Sequence, residues 1–268
     1  MDCPRISVVI PSFNQAQFLE DTLLSVINQG YPNTEIIVID GGSTDGSVDI
    51  IRRYEAHLAY WVSEPDGGQT RGLIKGFQRA TGSIQCWLNS DDLHESKTLA
   101  EVAAYFQTHP DVDAVYGNTT WIDPQGQVLR EQREIPFNRF IWMYTYNYIP
   151  GMSMFWRDRI YQAVGGLDPT FDLAMDADLW IRFADHGRIE HVPQPWSKMR
   201  FYPEQKNRRL RAASDREDLQ IRERYWQPQP VHLYTVKRWV AQSCRILWRV
   251  WGGCYLPGYV RDMSKLSV

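Results

Sequence analysis

The sequence feature that most constrains the fold is an alternation of short apolar segments with amphipathic ones over the first third of the chain. Apolar runs at residues 6–10, 35–39, 59–62 and 84–88 are separated by stretches with helical spacing at 15–29, 45–57 and 68–80. Strands that are apolar on both faces are typical of a parallel sheet covered by helices on both sides. The pattern predicts a doubly wound α/β domain, in which ligands bind beyond the carboxyl ends of the strands.

The second half of the chain predicts a mixed continuation of this sheet. Strands are predicted at 114–116 and 152–156, a hairpin at 121–129, and a loop or short helix at 137–148. Helical spacing recurs at 95–107, 157–164 and 176–186, and the charged stretch 204–224 indicates an exposed helix. We therefore expect a mixed, largely parallel sheet flanked by helices, followed by a helical extension at the C-terminal end.

Charge and cysteine usage narrow the class of protein. The net charge is −3, with 29 Lys and Arg against 32 Asp and Glu, which argues against a nucleic-acid-binding protein. The four cysteines form no CxxC pair, so a reducing, cytoplasmic setting is expected. The sequence shows neither a signal-peptide pattern nor an apolar run long enough to span a bilayer.

Polar and acidic residues follow the first two predicted strands. Pro11, Ser12, Phe13 and Asn14 come after the first, and taken alone they read as a turn with a helix cap. The second is followed by a glycine-rich turn that begins at Asp40 and matches neither GxGxxG nor GxxxxGK[ST], so dinucleotide-binding and P-loop folds are excluded. Because its carboxylates would repel phosphate, we expect Asp40 to accept hydrogen bonds from a base or a ribose hydroxyl.

Two adjacent carboxylates, Asp91 and Asp92, follow the fourth predicted strand. Burying like charges side by side is costly, unless a divalent cation lies between them and a diphosphate. Mg²⁺ and Mn²⁺ suit one or two carboxylates combined with substrate phosphates. A helix cap for residues 95–107 explains the pair equally well.

A further acidic pair, Asp176 and Asp178, opens the predicted helix 176–186. Acidic residues in the first turn complement the helix dipole, which accounts for Asp178. Asp176 precedes the apolar stripe, so it can face a cleft and act as a general base towards a hydroxyl group.

Together these segments resemble the family 2 glycosyltransferases, which have the nucleotide-sugar-binding fold called GT-A. The resemblance covers roughly residues 5–200 and depends on the order and spacing of six segments. They are PSFNQAQFLEDTLLSVINQ at 11–29, EIIVIDGGSTDGS at 35–47, EPDGGQ at 64–69, WLNSDD at 87–92, GGLD at 165–168 and MDADLWIRFA at 175–184.

The resemblance implies an inverting transfer of one sugar from a nucleotide-sugar donor, with UDP favoured, to a glycan or lipid-linked acceptor. Asp176 corresponds to the catalytic base and Asp92 to the ligand of Mn²⁺ or Mg²⁺. Residues 1–203 would form the catalytic domain, with a nucleotide-binding half at about 1–92 and an acceptor half at about 93–203, and residues 204–268 the extension. The implied nucleotide-sugar-binding residues are Pro11, Phe13, Asn14, Asp40, Gly41, Asp66, Gln69, Arg71 and Asp91.

The sequence departs from the family pattern in two regions that bear on the donor site. Relatives often read EPDxGQSDAINKG, where this chain has Arg71, Gly72 and Ile74 at the Asp, Ala and Asn positions. The histidine that many relatives carry after the base helix is absent, so a phosphate contact is expected from Arg200 or Lys206. The QxxRW signature of processive synthases is also absent, which favours the addition of single sugars.

Two other functions fit parts of this pattern. A sugar nucleotidyltransferase uses a similar fold and metal, but it needs a cationic glycine-rich loop after the first strand, where this chain has none. A non-catalytic carbohydrate-binding or scaffold protein on a decayed transferase fold is compatible with Arg71 and Ile74. Retention of Asp40, Asp91, Asp92 and Asp176 favours an enzyme.

The C-terminal extension predicts a second kind of contact. Residues 236–251 place tryptophans and aliphatic residues at helical spacing, with Lys237, Arg238, Arg245 and Arg249 interleaved. Such a helix suits the interface of an anionic bilayer, where each cation near the surface contributes about 1 kcal/mol. Packing of the tryptophans against the catalytic domain or another subunit is the alternative. With the membrane contact, the protein would lie at the inner face of the cell membrane.

Overall fold

The computed structural model describes residues 3–226 and 230–255. Four parallel strands form the first half of one continuous sheet: β1 (Ile6–Ser12), β2 (Thr34–Asp40), β3 (Tyr60–Ser63) and β4 (Ile84–Trp87). Between them lie α1 (Ala16–Ile27), α2 (Ser47–Arg53) and α3 (Gln69–Phe77). The predicted doubly wound half is confirmed, although the helix expected at 45–57 ends at residue 53 and continues as a short 3-10 turn.

The rest of the sheet is mixed. It contains β5 (Leu93–His94), β6 (Ala114–Ile122), β7 (Val128–Gln132), β8 (Met154–Arg157) and β9 (Ile189–Arg200), in the overall order β3-β2-β1-β4-β8-β6-β9-β5 with β7 beside β6. β8 runs antiparallel to β4 and β6, whereas β9 runs parallel to β6. The flanking helices are α4 (Thr98–Thr108), α5 (Arg139–Tyr144), α6 (Asp158–Ala163) and α7 (Met175–His186). The mixed, largely parallel architecture agrees with the sequence prediction.

The register of the parallel strands brings the predicted site residues to one edge. Ser12 pairs with Asp40, and Asp40 pairs with Ser63, so β1, β2 and β3 end side by side. β4 ends at the same edge, because its Trp87 pairs with Val9 of β1. The loops that follow these four strands therefore converge beyond a core of wholly buried aliphatic residues.

Three helices make up the C-terminal part: α8 (Lys206–Arg209), α9 (Arg211–Tyr225) and α10 (Val231–Trp251). Two of the four cations of α10 face the protein rather than solvent, and the membrane contact of this helix stays a prediction. Arg245 Nη2 and Arg249 Nη1 lie 3.6 and 3.8 Å from Oε2 of Glu134, whose side chain is fully buried. Lys237 Nζ lies 5.6 Å from the centre of the Tyr144 ring. In the described ranges, no helix is long and apolar enough to cross a membrane.

Candidate functional site

The loops after β1 and β2 are joined by reciprocal hydrogen bonds. Asn14 has the positive φ of 51° that asparagine tolerates, and its backbone N–H donates to Ser43 Oγ at 2.8 Å. Its side-chain Oδ1 in turn accepts from the backbone N–H of Thr44 at 2.9 Å. Asp45 Oδ2 accepts from the N–H of Ala16 near the start of α1 at 2.8 Å. These bonds fix the relative positions of the two loops, against which a ligand would lie.

Asp40 is buried beneath these two loops and does not form part of their surface. The residue is fully buried, and Oδ2 accepts from Gly42 N, Ser43 N and Ser63 Oγ at 3.1, 2.8 and 2.7 Å. Oδ1 accepts from Ser43 Oγ at 2.5 Å. Because protein donors occupy both oxygens, the expected contact with a base is not what this geometry supports. Asp40 instead shapes the turn that brings Gly41 to the surface.

A cleft of about 700 Å³ opens beyond the ends of the parallel strands. That volume is in the range of small-molecule and cofactor sites. Phe13, which is 61% exposed, offers an apolar face on one wall. Eight of the residues expected from the sequence line the cleft: Pro11, Phe13, Asn14, Gly41, Asp66, Gln69, Asp91 and Asp92.

The carboxylate of Asp66 packs closely against two glycines, Gly41 and Gly72. Its Oδ1 accepts from the N–H of Gly68 at 2.9 Å. A β-carbon added at Gly41 would lie 3.2 Å from Asp66 Oδ2, and one added at Gly72 would lie 2.7 Å from the same atom. The alanine that relatives carry at position 72 would therefore collide with this carboxylate. Gly72, a departure from the family pattern, is what lets Asp66 adopt its present position.

Asp91 and Asp92 form a buried acidic pair. Asp92 is 2% exposed, and its two oxygens accept from the N–H of Arg200 and from Asn89 Nδ2, each at 3.0 Å. Asp91 Oδ2 accepts from the hydroxyl of Tyr202 at 2.7 Å. Burial raises the pKa of both carboxyl groups, and the charge of Asp91 raises the pKa of Asp92 further.

The acidic pair fits a divalent cation whose remaining ligands come from a substrate. Within the parts of the chain that the structure describes, no cluster of three or more His, Cys, Asp and Glu side chains could hold a metal. Mg²⁺ is commonly held by one or two carboxylates with the phosphates of a nucleotide. A cation beside Asp92 would relieve the unfavourable burial of two like charges, so the residues present suit such an ion.

The cation expected to contact phosphate is Lys206 rather than Arg200. Arg200 is 1% exposed, and its guanidinium donates to the carbonyls of Asp91 and Pro124 at 3.0 and 2.7 Å. Lys206 lines the cleft, where Nζ donates to Asp172 Oδ2 at 2.7 Å and to Gln69 Oε1 at 3.3 Å. It therefore stands where an anion in the cleft can reach it.

A chain of hydrogen bonds joins this lysine to the acidic pair. Gln69 accepts from Lys206 and donates from Nε2 to Asn89 Oδ1 at 2.9 Å. Asn89 then donates to Asp92 at 3.0 Å. A cation and a buried carboxylate that both line the cleft are thus joined by one chain of hydrogen bonds. This arrangement suits a ligand that is itself a cation–anion pair, such as a metal-bound diphosphate.

Arg71 does not line the cleft. Its side chain is exposed on α3 and lies near Gly67, whose added β-carbon would be 3.4 Å from Arg71 Cδ. Arg71 is not among the residues that line the cleft, whereas Gln69, two residues earlier on α3, lines it and donates to Asn89. The expected contact of Arg71 with the donor is therefore not supported.

Asp176 is not among the residues that line the cleft, but it lies in the first turn of α7, four residues after Asp172, which does line it. Its Oδ1 accepts from the N–H of Ala177 and its Oδ2 from Asn147 Nδ2, both at 2.8 Å. Burial raises the pKa of Asp176 to about 6, although these two hydrogen bonds act in the opposite direction. Asp178 differs, since it is fully buried and paired with Arg182 at 2.9 Å. Of the two carboxylates, only Asp176 is partly accessible.

The segment before α7 is held by a residue that the sequence did not reveal. Glu217 of α9 accepts hydrogen bonds from the backbone N–H groups of Asp172, Leu173 and Ala174 at 3.1, 2.8 and 2.9 Å. It thereby binds the N–H groups just ahead of the helix that carries Asp176. In the sequence this glutamate is one charge among many in a stretch that reads as solvent-exposed, so only the tertiary fold identifies it.

Comparison with known proteins agrees with this geometry. The model of the family described as Glycosyl transferase family 2 matches residues 7–162. An uncharacterized glycosyltransferase of Mycobacterium tuberculosis is 31% identical over 183 residues, which cover 68% of this chain and 69% of the relative. A PGL/p-HBAD biosynthesis glycosyltransferase of Mycobacterium bovis is 35% identical over 122 residues, 44% of this chain and 48% of that protein.

Two solved structures share the fold. The mannosyltransferase PcManGT from Pyrobaculum calidifontis, in complex with GDP-Man and Mn²⁺, superposes with a TM-score of 0.63 at 19% identity, covering 94% of this chain and 72% of that one. S. aureus TarS 1-349, in complex with UDP-GlcNAc, gives 0.62 at 18%, covering 74% and 59%. With the family match spanning more than half of its residues, the chain is a glycosyltransferase and belongs to glycosyl transferase family 2.

Proposed function

We propose that this glycosyltransferase moves one sugar from a nucleotide-diphosphate sugar, with UDP favoured, to a hydroxyl group of a glycan or lipid-linked acceptor, with inversion. The observation that carries the proposal is the hydrogen-bonded chain from Lys206 to Asp92 through Gln69 and Asn89. It joins an anion-binding group and a cation-binding group within the same cleft, as a diphosphate bound to Mn²⁺ or Mg²⁺ requires.

The cleft residues suit the parts of a nucleotide sugar. Phe13 and Pro11 would contact the base. Gly41, which lies beside the carboxylate of Asp66, allows the ligand to approach the backbone closely. Asp91 would contact the ribose or the sugar, and Asp92 the metal. The chemistry that the divalent ion would supply is stabilisation of charge on the departing nucleoside diphosphate.

Asp176 would act as the general base of the transfer. In its ionised form, the carboxylate accepts the proton of the acceptor hydroxyl group. The hydroxyl oxygen forms a bond to the anomeric carbon on the face opposite the diphosphate, and the bond from that carbon to the diphosphate oxygen breaks. One displacement of this kind inverts the configuration and needs no covalent intermediate on the enzyme.

A lipid-linked acceptor would be met at a membrane, and we therefore place the enzyme in the cytoplasm at the inner face of the cell membrane.

We assign residues 1–203 as the catalytic domain and residues 204–268 as its extension. Glu217 and Lys206 belong to the extension but reach the catalytic domain. Truncation at residue 203 would therefore disturb the site itself.

A donor panel tests this function. UDP-, GDP- and dTDP-sugars should be compared by thermal shift with Mn²⁺ and with EDTA, because a ligand that binds the folded state raises its Tm. The wild type should then transfer the sugar of whichever nucleotide sugar binds. Turnover by Asp176→Asn should fall roughly 10²- to 10⁴-fold. A non-catalytic scaffold would bind a sugar but neither hydrolyse nor transfer it. Donor affinity lost in Asp176→Asn with turnover retained would place this residue in the nucleotide site instead.

A further inference from the structure

Helix α10 has its polar and apolar faces reversed relative to an ordinary surface helix. The side facing the protein carries Tyr234, Ala241, Arg245 and Arg249, all wholly or partly buried. The exposed residues between 236 and 251 are mostly apolar, and the polar ones among them are Arg238 and Ser243. The apolar ones include Val236, Trp239, Val240, Ile246, Leu247, Val250 and Trp251. We call this surface the outer face of α10.

The inward cations explain why the helix keeps this orientation. Arg245 lies 3.6 Å and Arg249 3.8 Å from Glu134 Oε2, and the side chain of Glu134 is fully buried. The guanidinium of Arg245 also lies 4.2 Å from the centre of the Tyr146 ring. Rotating α10 to bury its tryptophans would remove both guanidinium groups that lie within 4 Å of the buried Glu134, which is strongly unfavourable. The apolar face is therefore held outwards.

The outer face is too large to be an incidental exposure of single residues. Trp239 is 68% exposed, Leu247 68% and Trp251 89%. A groove of about 490 Å³ between α5 and α10, with Phe140 and Ile141 on its other wall, extends the same apolar surface. Contiguous apolar patches of this kind mark surfaces that bind a partner or a membrane.

We infer that the outer face of α10 inserts into the interface of a lipid bilayer, and that apolar contact rather than charge drives this binding. Two tryptophans spaced along one face suit the boundary between headgroups and acyl chains. The cations that would attract anionic headgroups are in part turned away, since Arg245 and Arg249 bind Glu134. The helix lies in the plane of the membrane, with the catalytic domain on the polar side.

A second copy of the chain is a poorer occupant of this face. A helix of 21 residues is about 30 Å long and about 10 Å wide. The outward half of this helix, taken alone, offers less than the roughly 800 Å² that each partner of a standard protein–protein interface buries. Between residues 236 and 251, Arg238 is the only exposed charged side chain that could pair with a partner. A bilayer needs no matching surface and covers the whole convex face of a single helix.

Flotation of the full chain tests the inference without requiring transferase activity, so its failure would remove the proposed placement at the membrane and leave the proposed transfer reaction standing. Vesicles of pure phosphatidylcholine, and vesicles that also contain phosphatidylglycerol, should be used at low and at high salt. We expect the wild type to float with both, at both salt concentrations. Leu247→Glu combined with Val250→Glu should lower the bound fraction on the order of tenfold or more. The matched control is Leu219→Glu on α9, also an exposed leucine, which should float like the wild type.

The other outcomes would overturn the inference. Flotation only with phosphatidylglycerol, abolished by high salt, would show that charge drives the binding. Absence of flotation, together with a dimer in solution that the double variant dissociates, would assign the face to a second copy. A monomer that does not float would show that the face is not a lipid contact. Circular dichroism and Tm confirm that each variant is folded, which is expected because both substituted side chains are more than half exposed.

Discussion

Asn147 donates a hydrogen bond from Nδ2 to Oδ2 of Asp176 at 2.8 Å. The orientation of the amide is fixed, because Asn147 Oδ1 accepts from the N–H of Ile149 at 3.2 Å and from Trp142 Nε1 at 3.3 Å. With its oxygen bound in this way, the amide can present only N–H to the carboxylate. A donor aimed at a carboxylate favours its charged form. Asn147 therefore positions the proposed base and opposes the effect of burial on its pKa.

The first prediction concerns the pH dependence of transfer. Burial raises the pKa of Asp176 to about 6, and only the ionised carboxylate can accept a proton. Turnover should therefore rise with pH through about 6 in the wild type. Asn147→Ala removes a bond that lowers the pKa of Asp176, so the rising limb should move to higher pH, with the greatest loss of activity below neutrality. The measurement is kcat against pH at saturating donor and acceptor.

A control separates this effect from general damage. Asn28→Ala changes an exposed asparagine after α1 that has no contact with Asp176, and its profile should match the wild type. If Asn147→Ala lowers kcat equally at every pH, Asn147 supports the structure without tuning the base.

The second prediction concerns the metal. Asp92→Asn replaces a carboxylate with a weaker, neutral ligand, so the rise in Tm caused by Mn²⁺ with nucleotide should disappear. Because the pKa of Asp92 is raised, the same rise should fade in the wild type as the pH falls and the carboxyl group becomes protonated. EDTA should reproduce the effect of the substitution. Asp49→Asn, an exposed aspartate on α2, should respond to Mn²⁺ like the wild type; a full response of folded Asp92→Asn would refute the assignment.

The parallel half of the fold could be predicted because β1, β2 and β4 are buried on both faces and their sequences are largely apolar, whereas the edge strand β3 is half-buried. β9 could not, since Ile189–Arg200 contains Pro193 and Pro195 and has no regular alternation. It becomes a strand through pairing with β6, where the register shifts near Asn118 accommodate the irregular sequence. The hairpin predicted at 121–129 is present, but its first strand joins the one expected at 114–116.

The location of the candidate site could be predicted better than the direction of its side chains. Strand ends of a parallel sheet must share an edge, so the loops that carry Phe13, Asp66 and Asp92 lie along one cleft. Whether a carboxylate faces ligand or protein depends on neighbours distant in sequence. Asp40 turns inward because Ser63, 23 residues away, donates to it. Lys206 and Glu217 belong to charged segments whose partners only the folded chain reveals.

The third prediction compares Lys206, which lines the cleft, with Arg71, which does not. Lys206→Met should weaken binding of the nucleoside diphosphate roughly tenfold, because a charge-assisted contact with phosphate is lost at a partly exposed position. Arg71→Met is the matched control and should leave the affinity nearly unchanged, since Arg71 is exposed outside the cleft. Calorimetric titration with Mn²⁺ present measures both. If Arg71→Met weakens binding and Lys206→Met does not, Arg71 reaches the diphosphate when the donor binds.

The last prediction concerns the fit between Gly72 and Asp66. In Gly72→Ala the new β-carbon would lie 2.7 Å from Asp66 Oδ2, so the carboxylate must rotate away from its present position. The fold should tolerate this, because alanine favours a helix by about 1 kcal/mol over glycine, and Tm should not fall. Donor affinity should drop several-fold, since Asp66 leaves the cleft wall. In an Asp66→Ala background the same substitution should cost no affinity, because the collision no longer exists. Equal losses in both backgrounds would show that position 72 acts on the donor independently of Asp66.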